Sequence, residues 1–179
     1  MSAIEIVLRI LIWIVACTIG YFLFNGFVVS VIDEYNARKA ARLKVVLDNG
    51  AFAPERAHET DAGMDLRTPH RVVIPAGGSM AINTGVHMEI PPGYFGKLES
   101  KSGLNVKHDV VSHGGTIDSG YTGAIVAKLY NHGKTDYEFK RGDKIIQIII
   151  QPCQLCGIEV VEELDETERG TGGFGSTGR

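Results

Sequence analysis

From Lys44 to Val161 the chain runs as short segments rich in Val, Ile and aromatic residues, each closed off by Gly, Pro, Asn or Asp, with no stretch of helical periodicity between them. Segments of this length cannot wrap a core as helices. As strands they can, because residues two apart share a face and the turn residues allow the chain to reverse. The spacing predicts strands at Lys44–Leu47, Val72–Ile74, Met80–Thr84, His87–Ile90, Tyr94–Glu99, Val106–Val111, Ala124–Tyr130, Tyr137–Phe139, Ile145–Ile150 and Ile158–Val161. Many short strands leave many edges to close, so the pattern predicts an all-β sandwich or barrel of jelly-roll type. Within the run Ile145–Ile150, Gln147 is the one polar residue. A buried amide must be satisfied, so it bonds neighbouring backbone or faces a polar ligand.

The segment before the strands has a different character. Ile10 to Ile32 is apolar apart from small or uncharged residues such as Thr18, Gly20, Asn25 and Ser30. As a helix it would reach about 34 Å, enough for the ~30 Å hydrocarbon layer. It is apolar all round and lies outside the strand region, which argues against a core helix, and it lacks a small-residue cleavage site. The expectation is a single transmembrane helix within residues 1–32, followed by a charged helical stalk at 33–42, a β domain at 43–168 and a separate segment at 169–179. Arg38, Lys39, Arg42 and Lys44 follow the run, whereas Arg9 alone precedes it. By the positive-inside rule the β domain then faces the cytoplasm.

A net charge of −3 with no basic patch gives no sign of a nucleic-acid polymer as partner. Cys17 sits in the apolar run, and Cys153 and Cys156 form a lone C-x-x-C with no second ligand pair. Ordinary thiols account for them better than zinc or a disulfide framework.

The last segment, Arg169 to Arg179, is rich in glycine and holds Arg169, Phe174, Ser176 and Thr177. Glycine loses the most backbone freedom on ordering, so such a tail forms no core of its own. Its guanidinium, ring and hydroxyls suit phosphate oxygens and a planar base. Four further segments stand apart from the strand pattern: Ala62–Leu66, Ser100–Leu104, Gly115–Gly123 and Arg141–Gln147. Together with the tail, in this order on an all-β background, they resemble the five motifs of the trimeric dUTP pyrophosphatases, over about Leu43 to Arg179.

The resemblance implies hydrolysis of dUTP to dUMP and pyrophosphate by a homotrimer whose active sites combine residues of several subunits, with Mg2+ on the triphosphate. It makes Asp118 the general base that activates water, and Tyr121 the ring that packs on deoxyribose and excludes a 2′-hydroxyl. Ser112, Thr116 and Ile117 fall where the uracil edge is read. Lys101, Ser102, Gly103 and Gln147 fall at the phosphates, and Asp65 at the Mg2+. In the tail, Arg169 matches a γ-phosphate ligand, Phe174 the ring over uracil, and Gly175, Ser176 and Thr177 further phosphate contacts.

Three residues depart from the family's usual pattern. Ser100 and Lys101 replace Pro and Arg, and Ser112 replaces Asn. Lysine keeps the charge but loses the planar two-pronged donor, which implies weaker phosphate positioning. A dCTP deaminase of the same fold fits less well, because Tyr121 and a Phe-bearing tail are present. A membrane-tethered nucleotide-binding protein with weakened catalysis is the other alternative.

Overall fold

A computed structural model describes the backbone of residues 3–40 and 42–173, with the side chains of 8, 13, 15, 17–32 and 42–173. Helix α1 spans Ala3–Ala40. The β domain then follows as β1 (Lys44–Leu47), β2 (Met64–Arg67), β3 (Val72–Ile74), β4 (Ser79–Asn83), β5 (Val86–Glu89) and β6 (Tyr94–Glu99). After the short helix α2 (Ser102–His108) come β7 (Val110–Val111), β8 (Gly115–Ile117), β9 (Val126–Asn131), β10 (Tyr137–Phe139) and β11 (Lys144–Pro152). All pairings are antiparallel, and the sheets have the orders β2-β11-β6-β8, β4-β9-β7, β1-β5 and β10-β3.

β11 is the central strand that the Ile145–Ile150 run predicts, flanked by β2 on one side and β6 on the other. Its apolar side chains Ile145, Ile146 and Ile148 are fully buried, together with Leu66, Ile74 and Phe139. Burial of two consecutive residues breaks the two-residue alternation, and the register against β2 shifts between Lys144 and Ile146. This bulge matters for the site. In a regular strand Lys144 and Gln147, three apart, point to opposite faces; one extra residue brings both to the face that carries Asp65.

Two predicted strands are corrected. The first half of Val106–Val111 is the end of α2, whose C-cap Asp109 adopts the left-handed conformation at φ 53, and only Val110–Val111 pairs as a strand. Val106 is 81% exposed, so it was never a core-facing strand position. Ile158–Val161 forms no strand: after Cys153, whose N–H bonds the carbonyl of Gly93 at 2.8 Å, this arm has no ladder partner among the described residues. Ile158 and Val160 are left 95% and 93% exposed.

The transmembrane expectation is not met on the described residues, among which no helix is long and apolar enough to cross a membrane. Several side chains between 10 and 16 lie outside the described residues. Those that are described face outward, Trp13, Phe22, Leu23, Phe24 and Phe27 among them.

Candidate active site

Asp65 lies on β2 directly opposite Gln147 on β11, which in turn lies opposite Glu99 on β6. Its carboxylate is buried, with the residue 6% exposed, yet it is not alone. Lys101 bonds one carboxylate oxygen, and Lys144 reaches the other at 2.7 Å. Burial pushes the Asp65 pKa up, but the hydrogen bonds and charges of Lys101 and Lys144 outweigh it, and the group is held below the usual carboxylate range. It is therefore ionised at neutral pH. The cluster then carries one net positive charge, a local field that favours phosphate oxygens.

Lys144 belongs to this cluster although its role was not read from the sequence. The signal that finds it is the bulge, which no spacing rule reveals. Lys101 sits at the extended residue before α2, at φ −80 and ψ 124, and its carbonyl accepts the Asn105 N–H at 3.0 Å. Ser102 and Gly103 open the helix on an exposed surface, and a Cβ at Gly103 would meet nothing in the chain. No internal packing demands glycine there, which leaves the approach free for something outside the chain.

Gln147 resolves its two alternatives partly toward the backbone, because its Nε2 donates to the carbonyl of Ser100 at 3.2 Å. Its Oε1 lies against Gly63, where a Cβ would come within 2.2 Å. One amide thus joins the first, second and fourth segments, and glycine at 63 is the residue that leaves it room. In the fourth segment Asp143 shapes the turn: its carboxylate accepts the Lys140 N–H at 2.7 Å, while Gly142 adopts φ 89. Arg141 donates to the Gly50 carbonyl at 3.0 Å and stacks over the Phe52 ring.

The third segment lies at the other edge of the same sheet. β8 pairs with β6, Thr116 opposite Lys97 and Ile117 opposite Gly96. Ser112 is buried, its N–H bonds the Ser100 hydroxyl at 3.2 Å, and its own hydroxyl accepts the Gly114 N–H at 3.2 Å. The two serines that depart from the family pattern are thus bonded to each other's segment. A cavity of 540 Å³ opens beside Gly115 and Thr116, lined also by Lys97, Glu99 and His113. Beyond β8, Asp118 is exposed and its carbonyl accepts the Tyr121 N–H at 3.0 Å. Tyr121 is 44% exposed, with its hydroxyl donating to the Ala124 carbonyl at 3.0 Å.

β2 and β8 are the two edges of a four-stranded sheet. Three inter-strand spacings separate them, about 14 Å. Among the described residues no hydrogen bond or ion pair joins Asp118 to the Asp65 cluster. Arg169 is also apart from it, its Nε donating to the Gly172 carbonyl at 2.9 Å. Phe174, Gly175, Ser176 and Thr177 lie outside the described residues. One chain thus holds the Asp65 cluster and Asp118 at opposite edges of the same sheet.

The same order of segments defines a known family, whose dUTPase model matches residues 50–178. The chain belongs to the dUTPase family. Among dUTPases it is 46% identical over 134 residues to the deoxyuridine 5′-triphosphate nucleotidohydrolase of Clostridium acetobutylicum, covering 74% of this chain and 92% of that one. With the rat enzyme it shares 39% over 152 residues, 84% of this chain and 74% of the relative. Its fold is similar to that of a mutant dUTPase of Staphylococcus bacteriophage 80alpha solved with dUpNHpp, at TM-score 0.74 and 31% identity, covering 78% of this chain and all of the other. It is also similar to a mutant dUTPase of phage phi11 of S. aureus that reveals the coordination of a structural Mg(II) ion, at TM-score 0.66 and 30% identity, over 70% of this chain and 100% of that one.

For a metal, the donor set is narrow. Among the described residues no three His, Cys, Asp or Glu side chains gather into a cage. Mg2+ already held by substrate phosphates needs only one or two protein carboxylates; Asp65 is the carboxylate placed there, and it would face such an ion only by yielding one of its pairs with Lys101 and Lys144.

Proposed function

We infer that the chain hydrolyses dUTP to dUMP and pyrophosphate, acting as a dUTP diphosphatase. The observation that carries this is the Asp65–Lys101–Lys144–Gln147 cluster, set on the sheet of a dUTPase fold at the edge opposite Asp118. Lys101 and Lys144 hold triphosphate oxygens, with Ser102 and Gly103 alongside. Ser112, Thr116 and Ile117 take the uracil edge, largely through main-chain groups, since the Ser112 oxygen is engaged by Gly114. Tyr121 packs on the deoxyribose. Asp118 accepts a proton from water as that water bonds to the α-phosphorus; the bond from this phosphorus to the bridging oxygen breaks, and pyrophosphate leaves. Mg2+ on the triphosphate, facing Asp65 through water, would supply charge neutralisation there. Positioning and electrostatics provide most of the acceleration.

Because Asp118 and the phosphate cluster occupy opposite sheet edges, a complete site draws on more than one copy, in a homotrimer. The exposed apolar arm at Leu155, Ile158, Val160 and Leu164 fits burial on a neighbouring copy. Arg169, Phe174 and Gly175 to Thr177 then close over the γ-phosphate and the base. The test is a panel of dUTP, dCTP and dUDP with the full chain. Release of dUMP and pyrophosphate from dUTP alone is the expected result, and deamination of dCTP or the absence of turnover overturns it.

The run Ile10–Ile32 attaches the protein to a membrane as a single pass, with the β domain on the cytoplasmic side. Its support is the outward-facing Trp13, Phe22, Leu23, Phe24 and Phe27, an apolar surface that water does not tolerate uncovered. Flotation of the full chain with liposomes checks attachment: recovery in the lipid fraction, resistant to high salt, is expected, and recovery at the bottom of the gradient refutes it.

A further inference from the structure

From Asp118 to Ala124 the chain leaves the sheet and bonds mostly to itself, through the Asp118 carbonyl to the Tyr121 N–H and the Tyr121 hydroxyl to the Ala124 carbonyl. It rejoins the body at Ile125, whose N–H bonds the Val86 carbonyl at 2.8 Å and whose carbonyl accepts the Thr84 hydroxyl at 2.7 Å. Among the described residues, one hydrogen bond ties the stretch between to the rest of the chain. His87 on β5 places Nδ1 2.8 Å from the carbonyl oxygen of Thr122, and Nε2 3.2 Å from a carboxylate oxygen of Asp48.

We propose that His87 is a positioning residue for the hydrolytic loop: its ring pins the main chain at Thr122 and so holds Tyr121 and Asp118 in their working geometry. Both partners of the ring can only accept hydrogen bonds, one being a carbonyl and the other a carboxylate. A neutral imidazole has a single N–H, so the two bonds coexist only in the imidazolium. When the ring loses a proton, Thr122 and Asp48 compete for the one that remains.

The surrounding charges are few. Val46 is the cross-strand neighbour of His87, and Lys44 and Glu89 on the same two strands are paired with each other at 3.0 Å. Asp48, just beyond β1, is the charge that faces the ring, and its side chain is 57% exposed. The bond to Thr122 raises the His87 pKa above its usual value, burial opposes this, and Asp48 adds to the rise. The pin is therefore fully formed below about pH 6.5 and is lost as pH rises through the higher folded-state value.

The role rests on Asp118 and Tyr121 acting in dUTP hydrolysis, and the experiment keeps the two apart. On the full chain, kcat and KM for dUTP are measured from pH 5.5 to 9 in wild type, His87→Ala, His87→Gln and Asp48→Asn, while NMR follows the Thr122 and Gly123 amides. Wild type should show a decline in kcat as His87 deprotonates. His87→Ala should sit about tenfold lower below that decline, the scale of a misplaced reacting group, and should lack it. His87→Gln, with one non-titrating donor, should recover part of the activity with no His87-linked limb, and Asp48→Asn should move the limb to lower pH. A His87→Ala profile with wild-type shape, whether equal or uniformly depressed, overturns the proposal. Loop amides that titrate with His87 in a protein without dUTP turnover would keep the pin and remove the reaction instead.

Discussion

Asp118→Asn should lower kcat for dUTP by about a thousandfold while leaving the protein folded. General-base assistance contributes about 10²–10⁴ in rate, and an amide cannot accept the proton. Turnover loss of this kind is often confounded by unfolding, but Asp118 removes that confusion. It is exposed, its side chain enters no hydrogen bond or ion pair among the described residues, and its main-chain turn with Tyr121 is retained in the variant. Surface changes of this sort stay within about 0.5 kcal/mol of stability. Asp65 offers no such separation, because replacing it would leave Lys101 and Lys144 facing each other without their shared counter-charge. The check is steady-state pyrophosphate release beside a thermal melt. A variant that melts like wild type and turns over within a few fold of it would take Asp118 out of the reaction.

The strands were legible where β-branched and aromatic residues run between turn residues, whether or not burial alternates strictly. Tyr94–Glu99 and Val72–Ile74 are found as predicted, and β11 runs on either side of its predicted span. β2 and β8 were hidden because a carboxylate or a glycine interrupts the apolar pattern: Asp65 between Met64 and Leu66, and Gly115 at the start of a three-residue strand. These strands are short and carry chemistry, so local composition speaks for turn while the ladder to β11 or β6 decides for strand. α2 was misread because Val106, His108 and Val110 alternate, although the alternation buries nothing before Val110.

The site divides in the same way. The residues proposed for it come from motif order, whereas their partners in the fold do not. That Lys144 joins Lys101 on Asp65 depends on a bulge, and that Gln147 leans on Gly63 and Ser100 depends on three strands meeting. Ser100 and Ser112 look in sequence like two independent losses of a better residue. In the fold they form one link, since the Ser100 hydroxyl holds the Ser112 N–H. The second segment and the loop that leads into the third are thus coupled within the chain.

Deleting residues 169–179 should abolish dUTP turnover, by at least about a hundredfold, with no change in melting temperature. The described part of this tail gives nothing to the core: Arg169 and Thr171 are exposed, Arg169 bonds Gly172 within the segment, and Gly170 bonds only the exposed Thr167 just before it. Stability therefore has nothing to lose. Catalysis does, because a triphosphate held only by Lys101 and Lys144 at the sheet edge remains open to water on its other side, and closure that excludes water strengthens each charge contact within. The expected kinetic signature follows from where the tail acts. If Arg169 and Phe174 bind ground state and transition state alike, KM rises and kcat is kept; if closure completes the arrangement around the α-phosphorus, kcat falls with it. The second outcome is the one expected, because an Asp118 loop tied to the body by one hydrogen bond among the described residues, that of His87, leaves alignment to whatever closes over it. A truncated protein that keeps wild-type kcat and loses only affinity would confine the tail to binding.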